Sequence, residues 1–420
     1  MHNLAFPADQ SVNNLFGDEP FLESRGPIAL IVDQLDPALA ERVNHQLSLR
    51  RHSIARQRPE VFDIPGYVRK DYRINVDLSR FSSGEGKAQV IDSVRGHDLF
   101  IMTDVLNYGA HYRRYGADVS IAPDEHFIDL VRLILCTRDS VSRIHVIMPF
   151  LYEGRRYRRT ARESLDCGAM LRSLFDLGID NFITFDAHDS RVANAVPQSN
   201  FESFPTSYQS IRTILETVPD ITVNSEKLMI VSPDEVSISR CIFFASAMKL
   251  PLGIFYTRRD YQYNGDEMTK VKTRTYLGES VEGKDIIIVA DLLDSGNELI
   301  ACASDLKSRG ANRVICSVSF AQFTEGIANL RQAWESGLIE RVFSTDMSYR
   351  PPEVLSSPWY TDIPMADDLA LLISALNHDA SLSRLMAPAA RIDALLSQLG
   401  HRDLEDNKPP DRQLAFTDFN

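Results

Sequence analysis

The segment DIIIVADLLDSGNELIACASDL, residues 285–306, decides the fold. Ile286 to Val289 form a wholly apolar run, the composition of a strand buried in a parallel sheet. Asp291 and Asp294 come directly after it, then Ser295 and Gly296, then a helical stretch. In parallel sheets ligands collect beyond the carboxyl ends of the strands, and a turn into a helix N-terminus offers free backbone N–H groups to phosphate. The two carboxylates can accept hydrogen bonds from sugar hydroxyls beside that phosphate. From this segment alone, a strand end followed by an ordinary Asp/Ser helix cap is the competing account.

Working outward, the same rhythm recurs on both sides. Upstream it reads IALIV, DPALAERVNHQL, DLFIM, FIDLVRLIL, RIHVIM, LDCGAMLRSLFDLG and NFITF. Around the deciding segment it reads KLMIV, ISRCIFFASAMKL, LGIFY, then RVICSVSF. Strand and helix alternating at short spacing predict an α/β fold with parallel sheets flanked by helices, in two successive domains. VPQSNFESFPTSYQ, rich in Ser, Pro and Asn, reads as a linker near residues 195–210. Residues 257–275 form a polar stretch with the composition of a closing lid. The expected organisation is an extension over residues 1–26, a first domain over 27–198, a second over 199–350, and a tail over 391–420.

Composition sets the outer limits. At 420 residues the chain exceeds one ordinary core, and 44% hydrophobic with 25% charged residues is the balance of a globular protein. A net charge of -13 argues against broad binding to nucleic acid or anionic membrane. Cys136, Cys167, Cys241, Cys302 and Cys316 stand singly with no CxxC pair, as reduced thiols do. No run of 18 apolar residues occurs, and MHNLAFPADQ lacks the features of a signal peptide, so a cytoplasmic protein is expected.

The deciding segment resembles the phosphoribosyl-diphosphate binding motif. RFSSGEGKAQVIDSVRGHDLFIM, IMPFLYEGRRYRRTARES, NFITFDAHDS, IVSPDEVSISR and YLGESVEGKDIIIVADLLDSG follow one another as in the phosphoribosyl diphosphate synthetases, or ribose-phosphate diphosphokinases. The resemblance spans about residues 28–390. It implies two phosphoribosyltransferase-type domains, with a C-terminal helix over 366–390 returning to the first. It also implies transfer of diphosphate from MgATP to the anomeric oxygen of ribose 5-phosphate, with AMP released, in nucleotide biosynthesis. Mg²⁺ is the implied cofactor. The implied assembly is a homo-oligomer built from dimers, as in hexamers, with ATP bound across a subunit interface.

Carried over residue by residue, the resemblance places Phe81 and Glu85 on the base of ATP, the aromatic ring by stacking. Arg155 and Arg156 fall in the nucleotide-binding run, where forked guanidinium donors suit polyphosphate. His188 lies against the ATP phosphates and the magnesium shell, and Asp234 closes the metal and ribose site. Asp291 and Asp294 hold the sugar, Ser295, Gly296 and Asn297 its phosphate, and Arg259 neutralises the transferring diphosphate.

The chain also departs from the family pattern. Ser83 replaces Asp or Asn, Arg156 replaces Gln, and Val236 and Ser237 replace glycines. Ala290 stands at the first acidic position of the sugar motif. Thr257 stands where the catalytic lysine belongs, with Arg258, Lys270, Lys272 and Arg274 nearby in sequence. Glu298 stands where a threonine hydroxyl would face the 5-phosphate, and like charges at contact cost on the order of several kcal/mol in a shielded pocket. Either Glu298 points away or the preferred sugar carries no ordinary 5-phosphate. Three functions follow: a diphosphokinase acting on ribose 5-phosphate or a related ribose compound, a nucleotide-binding regulatory subunit partnering an intact paralogue in a hetero-oligomer, and a phosphoribosyltransferase. The ATP-binding motifs argue against the third.

Overall fold

A computed structural model describes residues 23–400, apart from 157, 160, 265 and 266 and the side chains of 257–273. The expected extension over 1–26 and tail over 391–420 thus lie largely outside the described residues, as does the Arg259 side chain. Two compact units divide the chain. One holds the described residues up to Phe204 together with Met365–Met386; the other holds Pro205–Pro364 and the described residues from Ala387 onward.

The first unit begins with β1 (Ile28–Asp33) and α1 (Pro37–Gln57), then the hairpin β2 (Val76–Arg80) and β3 (Gly86–Val90). It continues through β4 (Asp98–Thr103), the hairpin β5 (His111–Arg114) and β6 (Ala117–Ser120), α2 (Pro123–Thr137) and β7 (Arg143–Ile147). It then runs through α3 (Asp166–Asp176), β8 (Asn181–Phe185) and β9 (Asn200–Phe204). The five-stranded sheet has the order β1-β4-β7-β8-β9, parallel throughout. Helix starts follow local chemistry: Asp36 Oδ1 accepts the Ala38 amide at 2.8 Å ahead of α1, and Glu125 Oε2 accepts the Ala122 amide at 3.0 Å at the start of α2.

The division between the units, Phe204 to Pro205, falls within the linker expected near 195–210, but the segment itself is an edge strand and the start of a helix. β9 pairs in parallel with β8, Phe204 is buried, and the Phe201 ring stacks on Phe182 with centroids 5.8 Å apart. The alternating aromatics of NFESF outweigh its Ser- and Pro-rich surroundings.

The second unit comprises α4 (Ser207–Thr217), β10 (Leu228–Ser232), α5 (Ile238–Met248), the hairpin β11 (Leu252–Asn264) and β12 (Glu267–Leu277), β13 (Asp285–Leu293) and α6 (Asn297–Ser308). β14 (Val314–Ala321), α7 (Ala328–Glu335), β15 (Arg341–Thr345), α8 (Pro352–Leu355) and β16 (Tyr360–Ile363) complete it. Its seven strands run β12-β11-β10-β13-β14-β15-β16, parallel except for β12. Two expectations change here. The deciding strand continues past Val289 to Leu293, because Leu292 and Leu293 pair with Phe320 and Ala321 of β14. The polar stretch read as a lid is a long hairpin, paired from Ile254↔Leu277 to Asn264↔Glu267, as its Thr- and Tyr-rich alternation favours.

The chain then re-enters the first unit as α9 (Ala366–Asn377), packed on α1, followed by α10 (Ser383–Met386). Asn377 at the end of α9 donates to Asp98 at 2.7 Å, and Arg143 donates to the Leu376 carbonyl at 3.0 Å. A last helix, α11 (Ala389–Gln398), packs on α4 and α5 in the second unit with Ile392 and Leu396 buried, so residues 391–398 are not tail. Among the described residues, no helix is long and apolar enough to cross a membrane.

Candidate functional site

In the second unit β10 and β13 are parallel neighbours, so the turns that follow them open on one edge of the sheet. After β10, the Ser232 hydroxyl donates to the Asp234 carbonyl at 2.7 Å, and Asp234 Oδ1 accepts the Ser237 amide at 2.8 Å. The carboxylate is thereby fixed at the head of α5. After β13, Asp294 Oδ1 accepts the Thr324 hydroxyl at 2.5 Å, and its carbonyl accepts the Thr324 amide at 3.2 Å. Asp291, Asp294 and Ser295 are half-buried.

Gly296 turns the chain into α6 with φ +81, a left-handed conformation, and a Cβ there would meet the Leu330 side chain at 3.0 Å. The Asn297 side chain donates to Glu325 at 3.0 Å and accepts from Asn329 at 3.2 Å. Glu298, in the first turn of α6, is directed to Arg274 of β12, whose Nη2 donates to Glu298 Oε1 at 3.2 Å. Thr257 pairs across the hairpin with Arg274, and Arg259 pairs with Lys272. Sequence reasoning passed over Thr324, Glu325 and Asn329; their signal is a buried strand, VICSVSFA, ending in a polar loop beside the deciding turn.

In the first unit RFSSGEG caps the β2–β3 hairpin. The Phe81 amide donates to the Glu85 carbonyl at 2.8 Å, and the Ser83 hydroxyl donates to Glu85 Oε2 at 3.0 Å. Phe81 is 59% exposed, so it is not a strand-end core residue. Arg80 anchors the base of the hairpin to buried Asp129, Nη1 to Oδ1 at 2.8 Å. The second hairpin braces the tip, the Tyr115 amide donating to the Ser82 carbonyl at 2.9 Å.

Elsewhere in this unit β7 and β8 are parallel neighbours, and the Phe185 amide donates to the Pro149 carbonyl at 3.0 Å where they end. The turn after β7 carries Arg155 and Arg156, both exposed, and the turn after β8 carries half-buried His188. Asp186, at φ +41, starts that second turn, held by its amide on the Phe204 carbonyl at 2.9 Å. Asp189 is engaged with Arg191, at 2.9 Å from Nε to Oδ1. Phe81, Glu85, Arg155, Arg156 and His188 thus belong to the first unit, and Asp234 with Asp291 to Asn297 to the second.

The thiols nearby are inert: burial pushes Cys241 and Cys302 up to about 12. Among the described residues no three His, Cys, Asp or Glu side chains form a metal-binding group. The Asp234 carboxylate, fixed at the head of α5, nevertheless suits Mg²⁺, which commonly takes one or two protein carboxylates and completes its shell with substrate phosphates and water.

Two parallel α/β units, the second ending its central strand in an acidic turn against a helix N-terminus, define a protein of the phosphoribosyltransferase class. The family model of the N-terminal domain of ribose phosphate pyrophosphokinase matches residues 28–178, and that of the phosphoribosyl transferase domain matches residues 197–350. The chain belongs to the ribose-phosphate pyrophosphokinase family. It is 27% identical to a ribose-phosphate pyrophosphokinase of Vibrio cholerae over 315 residues, spanning 73% of this chain and 90% of that relative. A ribose-phosphate pyrophosphokinase of Shewanella oneidensis is 27% identical over 321 residues, with coverage of 74% and 90%. The crystal structure of a phosphoribosylpyrophosphate synthetase from Mycobacterium smegmatis has the same fold, with a TM-score of 0.63 at 19% identity, covering 84% of this chain and 100% of that one.

Proposed function

We propose that the protein transfers diphosphate from MgATP to the anomeric hydroxyl of ribose 5-phosphate or a closely related ribose compound. The anomeric oxygen bonds to the β-phosphorus of ATP, the bond from that phosphorus to the α-phosphate oxygen breaks, and AMP leaves as the hydroxyl proton passes to solvent. Phe81 stacks on the adenine and Glu85 accepts from its amino group. Arg155 and Arg156 meet the phosphates, and His188 lies against them. Asp291 and Asp294 orient the ribose hydroxyls, while the backbone of Ser295, Gly296 and Asn297 receives the 5-phosphate. Asp234 of the second unit and His188 of the first are the residues that would hold Mg²⁺, which would supply positive charge against that developing on the phosphates. Arg259 adds positive charge to the transferring group, so the chemistry is positioning plus charge neutralisation with no covalent intermediate. The active species is an oligomer built from dimers, and the protein works in the cytoplasm.

The observation that carries this reading is Phe81, a large aromatic ring held out of the core at a braced hairpin tip. A phosphoribosyltransferase has no use for such a platform. Equilibrium titration of the purified protein with MgATP is expected to show binding that Phe81→Ala weakens by about tenfold, the order of one lost base-stacking contact. Absence of ATP binding in the unsubstituted protein would contradict the reading. One observation favours the second function, a nucleotide-binding regulatory subunit: the carboxylate of Glu298 already occupies Arg274 at the start of α6.

A further inference from the structure

We infer that Arg274 is a phosphate-contacting cation of the α6 turn, and that Glu298 is an internal competitor which the sugar phosphate must displace. The inference rests on the diphosphokinase reading and adds a specificity-determining pair to it. The motif at residues 291–298 contains three acids and no cation, and Glu325 is hydrogen-bonded to it through Asn297. A dianionic 5-phosphate arriving there needs compensating charge. Arg274 supplies it from 24 residues upstream, brought to the turn by the pairing of β12 with β11.

The geometry of the pair suits exchange. The Arg274 side chain is only 22% exposed, its guanidinium lies 5.8 Å from the ring centre of buried Phe255, and its Nε is buried with no hydrogen-bond partner among the described residues. It is therefore a placed group with unused donors. Glu298 is 56% exposed and holds one guanidinium nitrogen at 3.2 Å, a single contact of the kind that contributes little when solvated. A phosphate monoester carries close to two negative charges at neutral pH and can take two donors of the fork at once, so it outcompetes one loosely held carboxylate. In the free protein the Glu298 carboxylate stands in for that phosphate, stabilised in the first turn of α6 by the same helix N-terminus.

The test is calorimetric titration of the full chain with ribose 5-phosphate, and separately with ribose, for the unsubstituted protein, Glu298→Gln, Arg274→Gln and Arg274→Lys. Glu298→Gln, at an exposed position, is expected to tighten ribose 5-phosphate binding about threefold to tenfold and leave ribose unchanged, because only the phosphate competes with the carboxylate. Arg274→Gln is expected to weaken ribose 5-phosphate at least about tenfold, the order of a charge-assisted hydrogen bond, with partial recovery in Arg274→Lys. Unchanged or weaker ribose 5-phosphate affinity in Glu298→Gln, an equal shift for ribose, or no ribose 5-phosphate binding by any variant would overturn the inference. Binding is read without turnover, so the two readings fail separately. Opposite shifts without AMP formation would leave the pair standing and remove the reaction; AMP formation without those shifts would do the reverse.

Discussion

At the scale of single residues, burial decides which groups do chemistry and which report on the fold. Asp33 ends β1 fully buried, with one oxygen accepting the Thr103 hydroxyl at 3.0 Å and the other without a hydrogen-bond partner among the described residues. Burial pushes its carboxyl up to about 7. A group whose pKa is raised by folding stabilises the native state fully below its unfolded value, near 3.8, and loses that contribution as pH rises through about 7. Chemical denaturation of Asp33→Asn is therefore expected to show a flatter stability profile between pH 4 and pH 8 than the unsubstituted protein, with a gain of about 1–3 kcal/mol at the upper end. An unchanged profile would mean that Asp33 ionises freely. Asp294, Ser295 and Gly296 were legible in sequence as a turn between strand and helix, since apolar run, acids and glycine are adjacent, whereas Asp291 lies within β13. The partners of that turn were not: Thr324 and Arg274 reach it through strand pairing, and pairing partners leave no local mark.

At the scale of elements, the hairpins carry more than their sequences advertise. Gly86 begins β3 beside the anchor of the β2–β3 hairpin, where an added Cβ would clash with Arg80 Nη1 and Arg132 Nη1. Both guanidinium groups bind buried Asp129, so a methyl group there pushes cations off a carboxylate that is 3% exposed. Gly86→Ala is expected to lower stability by about 1–3 kcal/mol, the cost of a disturbed buried polar contact, and to weaken MgATP binding by tilting Phe81 and Glu85. Thermal melts with nucleotide titration check both, and unaltered ATP affinity would detach the hairpin from the nucleotide site. Central strands such as β1, β4 and β13 were readable from unbroken apolar runs. Edge elements were not, because β9 and the β11–β12 hairpin are polar on at least one side and share the composition of linkers and loops.

At the scale of the molecule, the chain builds its first unit, then its second, and threads back so that α9 completes the first. Arg51, buried in α1, donates to Asn377, and Asn377 in turn donates to Asp98. Burial opposes ionisation of Asp98, yet hydrogen bonds from His145 and Arg143 hold its pKa down to about 2. The helical character of DDLALLISALN was visible in sequence, but its destination came only from the family resemblance, since nothing local in it names α1 as its partner. The family's fold survives at 27% identity to the Vibrio cholerae relative, while the departures that the sequence resemblance picks out include Thr257, Ala290 and Glu298. Whether the chemistry survives with the fold is settled by measuring AMP release from MgATP by the full chain, with and without ribose 5-phosphate. AMP formed only when the sugar is present, with phosphoribosyl diphosphate in equal amount, is the predicted result; ATP bound tightly with no AMP under either condition would contradict it.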